Sequence, residues 1–84
     1  MSLPPNFEII FASNIEFEFL TVEVYFHNYR IFQLNREDGV KNIEIEFLLD
    51  LKSIPNEIDF KFSLEDFYKV IEIAKNDLIN YDKK

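Results

Sequence analysis

The side chains of this sequence that could bind a metal or a cofactor are few and scattered. His27 is the single histidine, and there is no cysteine. One imidazole without thiolates cannot assemble a transition-metal site unless other ligands converge on it. No such ligands are predicted around His27, so we interpret it as a turn residue. We therefore expect no bound metal and no cofactor.

Serine and glutamate side chains are the remaining candidates for catalysis. Ser2, Ser13 and Ser63 lack the strand–turn–helix context of a nucleophile elbow. Glu44 and Glu46 lie two positions apart on a predicted strand, so their carboxylates point the same way. Paired carboxylates catalyse proton transfer only in a cleft that separates their pKa values. The sequence thus predicts no catalytic residue and a protein that is not an enzyme.

A C-terminal helix over residues 63–81 is the clearest structural element of the chain. Ser63 is a natural N-cap, and Asp66 follows three residues later, as in a capping box. Apolar residues then recur at spacings of three and four, which is typical of one helix face: Leu64, Phe67, Ile71, Ala74 and Leu78. This pattern predicts a surface helix that buries one wide apolar face.

Short stretches of alternating or β-branched residues precede the helix. They predict strands over 7–11, 20–26, 29–35 and 43–47, with a fifth over 58–62. Turns are expected at His27-Asn28, at Gly39 and over 53–57. Strands joined by successive hairpins form an antiparallel meander, and one helix can cover only one of its faces. The predicted fold is a single α+β domain over 1–84, with a four- to five-stranded sheet and a flexible tail over 1–6.

The same pattern predicts which residues form the core. The helix should bury Phe67, Ile71, Ala74 and Leu78 against a second set from the sheet, namely Val22, Val24, Phe32, Ile45 and Phe60.

Composition restricts the partners that the protein can have. Sixteen acidic and nine basic residues give a net charge of −7. A field of that sign repels nucleic acid and anionic membranes, and it favours a cationic partner. Simple solubility of a chain with ten phenylalanines is the alternative explanation. No apolar run approaches the roughly 20 residues of a membrane span, and the N-terminus does not resemble a signal peptide. These features predict a soluble cytoplasmic protein.

The sheet face opposite the helix is the predicted binding surface. Acidic groups interleaved with aromatic and apolar ones suit protein binding, since charge steers a partner and aromatic rings anchor it. We place Glu23, Tyr25, Glu44 and Glu46 at its centre, and we expect Asp59 on the same face. The margin residues are Tyr29 and Ile31. An ordinary half-exposed sheet is the competing interpretation, and the helix exterior around Ile73 is the next candidate surface.

Two runs of the chain resemble a group of small acidic bacterial proteins. They are LTVEVYFHNYRIFQLNREDGVKNIEIEF at 20–47 and FSLEDFYKVIEIAKNDL at 62–78. The shared pattern is a hydrophobic hairpin, a turn with glycine, an alternating Ile-Glu strand and a closing helix. Some proteins of this kind are immunity proteins of polymorphic or contact-dependent toxin systems. The resemblance implies a cytoplasmic protein that binds and neutralises a cognate toxin domain, and the net charge of −7 predicts that this domain is basic. A self-associating structural or regulatory domain, such as a homodimer through the open face or an edge strand, is the alternative.

Overall fold

A computed structural model describes residues 2–81 and confirms the predicted α+β class. Four antiparallel strands pair in sequence order, and one helix follows them. The elements are β1 Phe7–Ala12, β2 Thr21–Phe26, β3 Tyr29–Asn35, β4 Glu44–Phe47, a 3₁₀ turn η1 Leu51–Ser53 and α1 Leu64–Asn80. The sheet is therefore a meander with β1 and β4 at its two edges.

The turns form where the sequence predicts them. His27 and Asn28 connect β2 to β3 with φ angles of 49° and 70°. Two consecutive positive φ values match the right-handed twist of a two-residue hairpin, and asparagine tolerates them well. Gly39, with φ of 93°, lies in the connection between β3 and β4. Glycine has no Cβ to clash in that conformation.

The helix begins as its capping sequence predicts. The Ser63 hydroxyl accepts a 3.0 Å hydrogen bond from the N–H of Asp66, which satisfies one backbone donor of the first turn. Along the helix, Val70, Ala74 and Leu78 are fully buried. Phe67 and Ile71 are only partly buried, and Leu64 is 64% exposed. The apolar stripe is thus correctly predicted, but its N-terminal end lies at the edge of the core.

The core lies where the helix crosses the middle of the sheet. Val22 and Val24 of β2 and Phe32 of β3 are completely buried there. Ile45 was expected in this core and is instead 42% exposed. A helix about 10 Å across covers roughly two strands spaced about 4.8 Å apart. Because α1 packs on β2 and β3, it leaves β4 uncovered.

The predicted fifth strand over 58–62 does not form. Its aromatic side chains pack on the hairpin end of the sheet, where the ring centroids of Phe60 and Phe62 lie 5.1 and 4.9 Å from that of Phe26. Phe62 also lies 5.1 Å from Phe7 of β1. Burial of the two phenylalanines in this cluster takes the place of backbone pairing in the sheet.

Within the predicted flexible tail over 1–6, two residues, Leu3 and Pro4, pack onto the domain. Pro4 is buried, and Leu3 packs against the core. The carbonyl of Asn6 accepts a 3.0 Å hydrogen bond from the N–H of His27. This contact ties the start of β1 to the neighbouring hairpin. Met1 lies outside the described residues.

At the end of the sheet away from the His27-Asn28 hairpin, Arg36 packs between two aromatic rings. Its guanidinium carbon lies 4.8 Å from the ring centroid of Phe19 and 4.2 Å from that of Tyr81. The Glu37 carboxylate accepts hydrogen bonds from the N–H groups of Glu18 and Phe19, at 2.9 and 2.8 Å. Stacking of a guanidinium between two rings fixes the β1–β2 loop against the C-terminal end of the helix.

Candidate protein-binding surfaces

The face of the sheet opposite the helix carries an acidic surface built by strand register. Tyr25 pairs with Glu8 on one side and with Arg30 on the other, while Glu23 pairs with Gln33. Residues directly opposite one another in neighbouring strands share a face. We call this surface the acidic face; its charged and aromatic residues are Glu8, Glu23, Tyr25, Arg30, Glu44 and Glu46.

At the centre of the acidic face, three side chains form a hydrogen-bonded group. Glu23 accepts from the Tyr25 hydroxyl at 2.8 Å and from Arg30 at 3.0 Å. These contacts leave Glu23 only 8% exposed. The hydrogen bond to Glu23 raises the pKa of the Tyr25 phenol above its ordinary value, and burial and the negative charge of that carboxylate add to the effect. Glu23 therefore positions Tyr25 and Arg30, which are the accessible members of the group.

The two glutamates of β4 share the acidic face, as the two-residue period predicts. Each accepts a hydrogen bond from an amide of β3: Gln33 donates to Glu46 at 2.8 Å and Asn35 to Glu44 at 3.4 Å. Both glutamates are exposed, whereas both amide-bearing residues are buried. The amides orient the carboxylates without neutralising their charge, so Glu44 and Glu46 remain available to a cationic partner.

Three residues predicted for the acidic face do not lie on it. Ile31 is 4% exposed and belongs to the core, because β3 carries one extra residue opposite Val24 and Tyr25. At a bulge of this kind, the side chain of the additional residue does not follow the alternation between the two faces of the sheet. Tyr29 pairs with Phe26, on the helix side, and its ring lies 6.5 Å from that of Phe60. The expectation that Tyr29 and Ile31 form the margin of this face is wrong.

Asp59 is the third of these residues. It lies outside the sheet, in the segment that does not form a strand, and its carboxylate is 3.8 Å from the ammonium of Lys61. Both side chains are well exposed, so this ion pair contributes little to stability.

An apolar groove on the helix side was not predicted. It lies beside β4 and the start of α1, and its volume is about 390 Å³. We define the apolar groove by its lining residues, Ile31, Phe47, Leu49, Phe60, Phe62, Leu64 and Phe67. Phe47 and Leu64 are each 64% exposed. The helical period identified Leu64 and Phe67 as apolar-face residues, but only the position of the helix on the sheet leaves this flank open.

The residues considered for chemistry remain separate in the structure. His27 is exposed in its hairpin, with its ring 4.5 Å from that of Phe26, and Ser63 caps the helix. Within residues 2–81, no three histidine or acidic side chains come together as a possible metal site. The same residues contain no helix that is long and apolar enough to cross a membrane.

Comparison of this chain with models of protein families, with curated protein sequences and with solved structures finds no match.

Proposed function

We propose that this protein is a non-catalytic binding module that neutralises a basic toxin domain in the cytoplasm, in the manner of an immunity protein. The acidic face is the observation that carries the proposal. Four carboxylates and a single guanidinium lie on one side of a small sheet, and three of the carboxylates, those of Glu8, Glu44 and Glu46, belong to exposed residues. The resemblance of residues 20–47 and 62–78 to immunity-type proteins supplies the kind of partner.

Occlusion is the mechanism that suits such a surface. A cleft that binds an anionic substrate is lined with basic groups, and an acidic surface of matching shape can cover it. The inhibitor then needs charge, shape and an anchoring side chain, but no reactive group. Tyr25 is suited to anchoring, because Glu23 fixes its hydroxyl and tyrosine loses little conformational freedom on binding.

Co-expression tests the function most directly. If a large reading frame lies immediately upstream of the gene, the chain is produced together with the C-terminal domain that this frame encodes. We expect the wild-type chain to restore growth that the domain alone suppresses. A folded, soluble chain that leaves toxicity unchanged would show that the proposal is wrong for that domain, and the absence of any such reading frame would favour the alternative function.

Charge reversal tests which face binds. The double variant Glu44→Lys/Glu46→Lys should slow association with the toxin domain by tenfold or more and flatten its salt dependence, because it removes steering charge. The matched control is Glu16→Lys/Glu72→Lys, which makes the same change in net charge at exposed positions outside the sheet. Equal on-rates for the two variants would show that net charge, and not the acidic face, governs the encounter.

Self-association remains the second candidate function, and one observation favours it. All four residues of β4 are exposed at the edge of the sheet, where a second copy could pair. Sedimentation equilibrium over a range of concentrations separates the two functions. A monomer throughout that range supports the inhibitor, and a dimer in the micromolar range supports the alternative.

A further inference from the structure

The outer edge of β4 has unpaired backbone groups at defined positions. The N–H of Leu48 donates to the carbonyl of Ile31 at 2.8 Å, which fixes the phase of the β3–β4 ladder. Bonding residues alternate along an antiparallel strand, so Glu46 and Glu44 bond to β3 as Leu48 does. The N–H and C=O groups of Ile45 and Phe47 therefore point outward. Within residues 2–81, no backbone hydrogen bond reaches this outer edge.

The two sides of β4 present opposite chemistry to anything that pairs with it. Ile45 and Phe47 face the helix side, opposite Leu34 and Phe32, and Phe47 lines the apolar groove. Glu44 and Glu46 face the other side. A strand added along this edge would alternate between the two environments with the same period of two residues. Its helix-side residues would meet apolar side chains, and the others would meet carboxylates.

A second copy of this chain fits that requirement poorly when the two β4 strands pair in the antiparallel sense. In an antiparallel pair of two β4 strands centred on Ile45, Glu44 of one copy lies opposite Glu46 of the other. Centring the pair on Glu46 sets two identical carboxylates against each other. Like charges directly opposite one another destabilise a strand pair. A register shifted by one residue avoids this contact but places Ile45 opposite a carboxylate.

We propose that β4 binds an extended segment of a partner protein in which lysine or arginine alternates with apolar residues. The segment adds a fifth strand to the sheet. Its basic side chains pair with Glu44 and Glu46, and its apolar side chains cover Ile45 and Phe47 beside the apolar groove. This inference rests on the proposed function, since it names the part of a basic partner that is recognised. Strand addition of this kind takes affinity from main-chain hydrogen bonds and specificity from alternate side chains.

A synthetic peptide is the probe. It has about seven residues, the length of an ordinary strand, alternates lysine with valine, and carries N-methyl groups on the amides of one edge so that it cannot stack on itself. Its controls are a peptide that alternates glutamate with valine and a lysine–valine peptide methylated on both edges. Binding is followed by NMR of the isotope-labelled full chain, together with hydrogen exchange of its amides.

Ile45→Pro and Ile45→Ala form the matched pair of variants. Proline at an edge position removes an outward N–H and leaves the pairing with β3 in place. Alanine loses the same side chain but keeps that donor. We expect Ile45→Pro to weaken binding of the lysine–valine peptide at least tenfold more than Ile45→Ala does. The variant Glu44→Lys/Glu46→Lys should transfer the preference to the glutamate–valine peptide.

The outcomes separate this inference from the proposed function. Protection of the Ile45 and Phe47 amides of the wild type by the lysine–valine peptide, and loss of the Phe47 protection in Ile45→Pro, support the inference. It is overturned by no binding at millimolar peptide, by equal binding to both variants, or by a dimer of the chain that uses this edge. If Ile45→Pro still restores growth in the co-expression assay, the function stands and the partner binds elsewhere.

Discussion

The start of β1 and the opposite edge strand β4 differ in how far the rest of the chain covers them. At the β1 edge, Phe7 is 6% exposed, because Phe62 and the hairpin residue Phe26 pack against its ring. At the β4 edge, Ile45 and Phe47 remain largely exposed beside the apolar groove. Both edges carry aromatic and β-branched residues, so composition does not explain the contrast. The path of the segment between β4 and α1 explains the difference in burial, because its residues 60–62 pack against β1 and β2 and leave β4 uncovered.

The small size of the domain therefore does not by itself explain why apolar side chains are exposed on β4. The domain has enough aromatic side chains to bury Phe7 at the start of β1, whereas Ile10 and Phe11 of the same strand are 43% and 46% exposed. A long, apolar and unpaired edge invites association with other chains, and proteins usually protect it. Here the glutamates of β4 supply the protection by charge. In the complex proposed above, they make the edge selective for a cationic strand.

The largest expected effect is at the covered edge. Phe7→Ala should destabilise the protein by about 3–5 kcal/mol, because it removes a buried ring from a cluster of phenylalanines. Urea unfolding followed by circular dichroism measures the change. A loss below about 1 kcal/mol would show that the β1 edge is as open as the β4 edge.

A smaller effect on stability is expected at Tyr81, which follows α1 and packs near the C-terminal end of β1. The Tyr81 ring lies 5.7 Å from that of Phe11, and its hydroxyl accepts a 3.3 Å hydrogen bond from the N–H of Leu20. Tyr81→Ala should cost about 2 kcal/mol, since both the stacking with Arg36 and this hydrogen bond are lost. Tyr81→Phe keeps the ring and should cost about half as much. Equal losses in thermal or urea unfolding would assign the whole contribution to the hydroxyl.

Between the two edges, Tyr25 should make stability sensitive to alkaline pH. Its pKa is raised in the folded protein, so its contribution is complete below the ordinary pKa of about 10 and is lost as the pH rises through the folded value. Wild-type stability should therefore fall more steeply above pH 10 than that of Tyr25→Phe. Parallel curves of unfolding free energy against pH for the two proteins would contradict this prediction.

The smallest effect is expected at the uncovered edge. Phe47→Ala should change the free energy of unfolding by less than about 1 kcal/mol, because most of its ring already faces solvent. Compared with Phe7→Ala, it measures the contrast between the edges directly. A cost above about 2 kcal/mol would indicate that something covers this edge in solution, and a concentration-dependent cost would identify a second copy.

Much of the fold could be predicted from local pattern. The hairpin at His27-Asn28, the capped start of the helix and the shared face of Glu44 and Glu46 each depend on residues close together in sequence. The candidate site was predicted less well. Glu23, Tyr25, Glu44 and Glu46 do share a face, whereas Tyr29 and Ile31 lie on the other side of a bulge that the alternation does not reveal.

By itself, the sequence determined the meander, the helix with its apolar stripe and the acidic side of β4. Periods of 2 and 3.6 residues and capping are local properties of the chain, so they can be deduced without tertiary contacts. Only the tertiary structure decided that residues 58–62 pack as an aromatic cluster and that α1 crosses β2 and β3. Both arrangements depend on which apolar side chains, distant in sequence, are buried on the limited area of the sheet that the helix and loops can cover. Because this packing leaves Ile45 and Phe47 uncovered, the binding edge proposed for β4 is a consequence of packing.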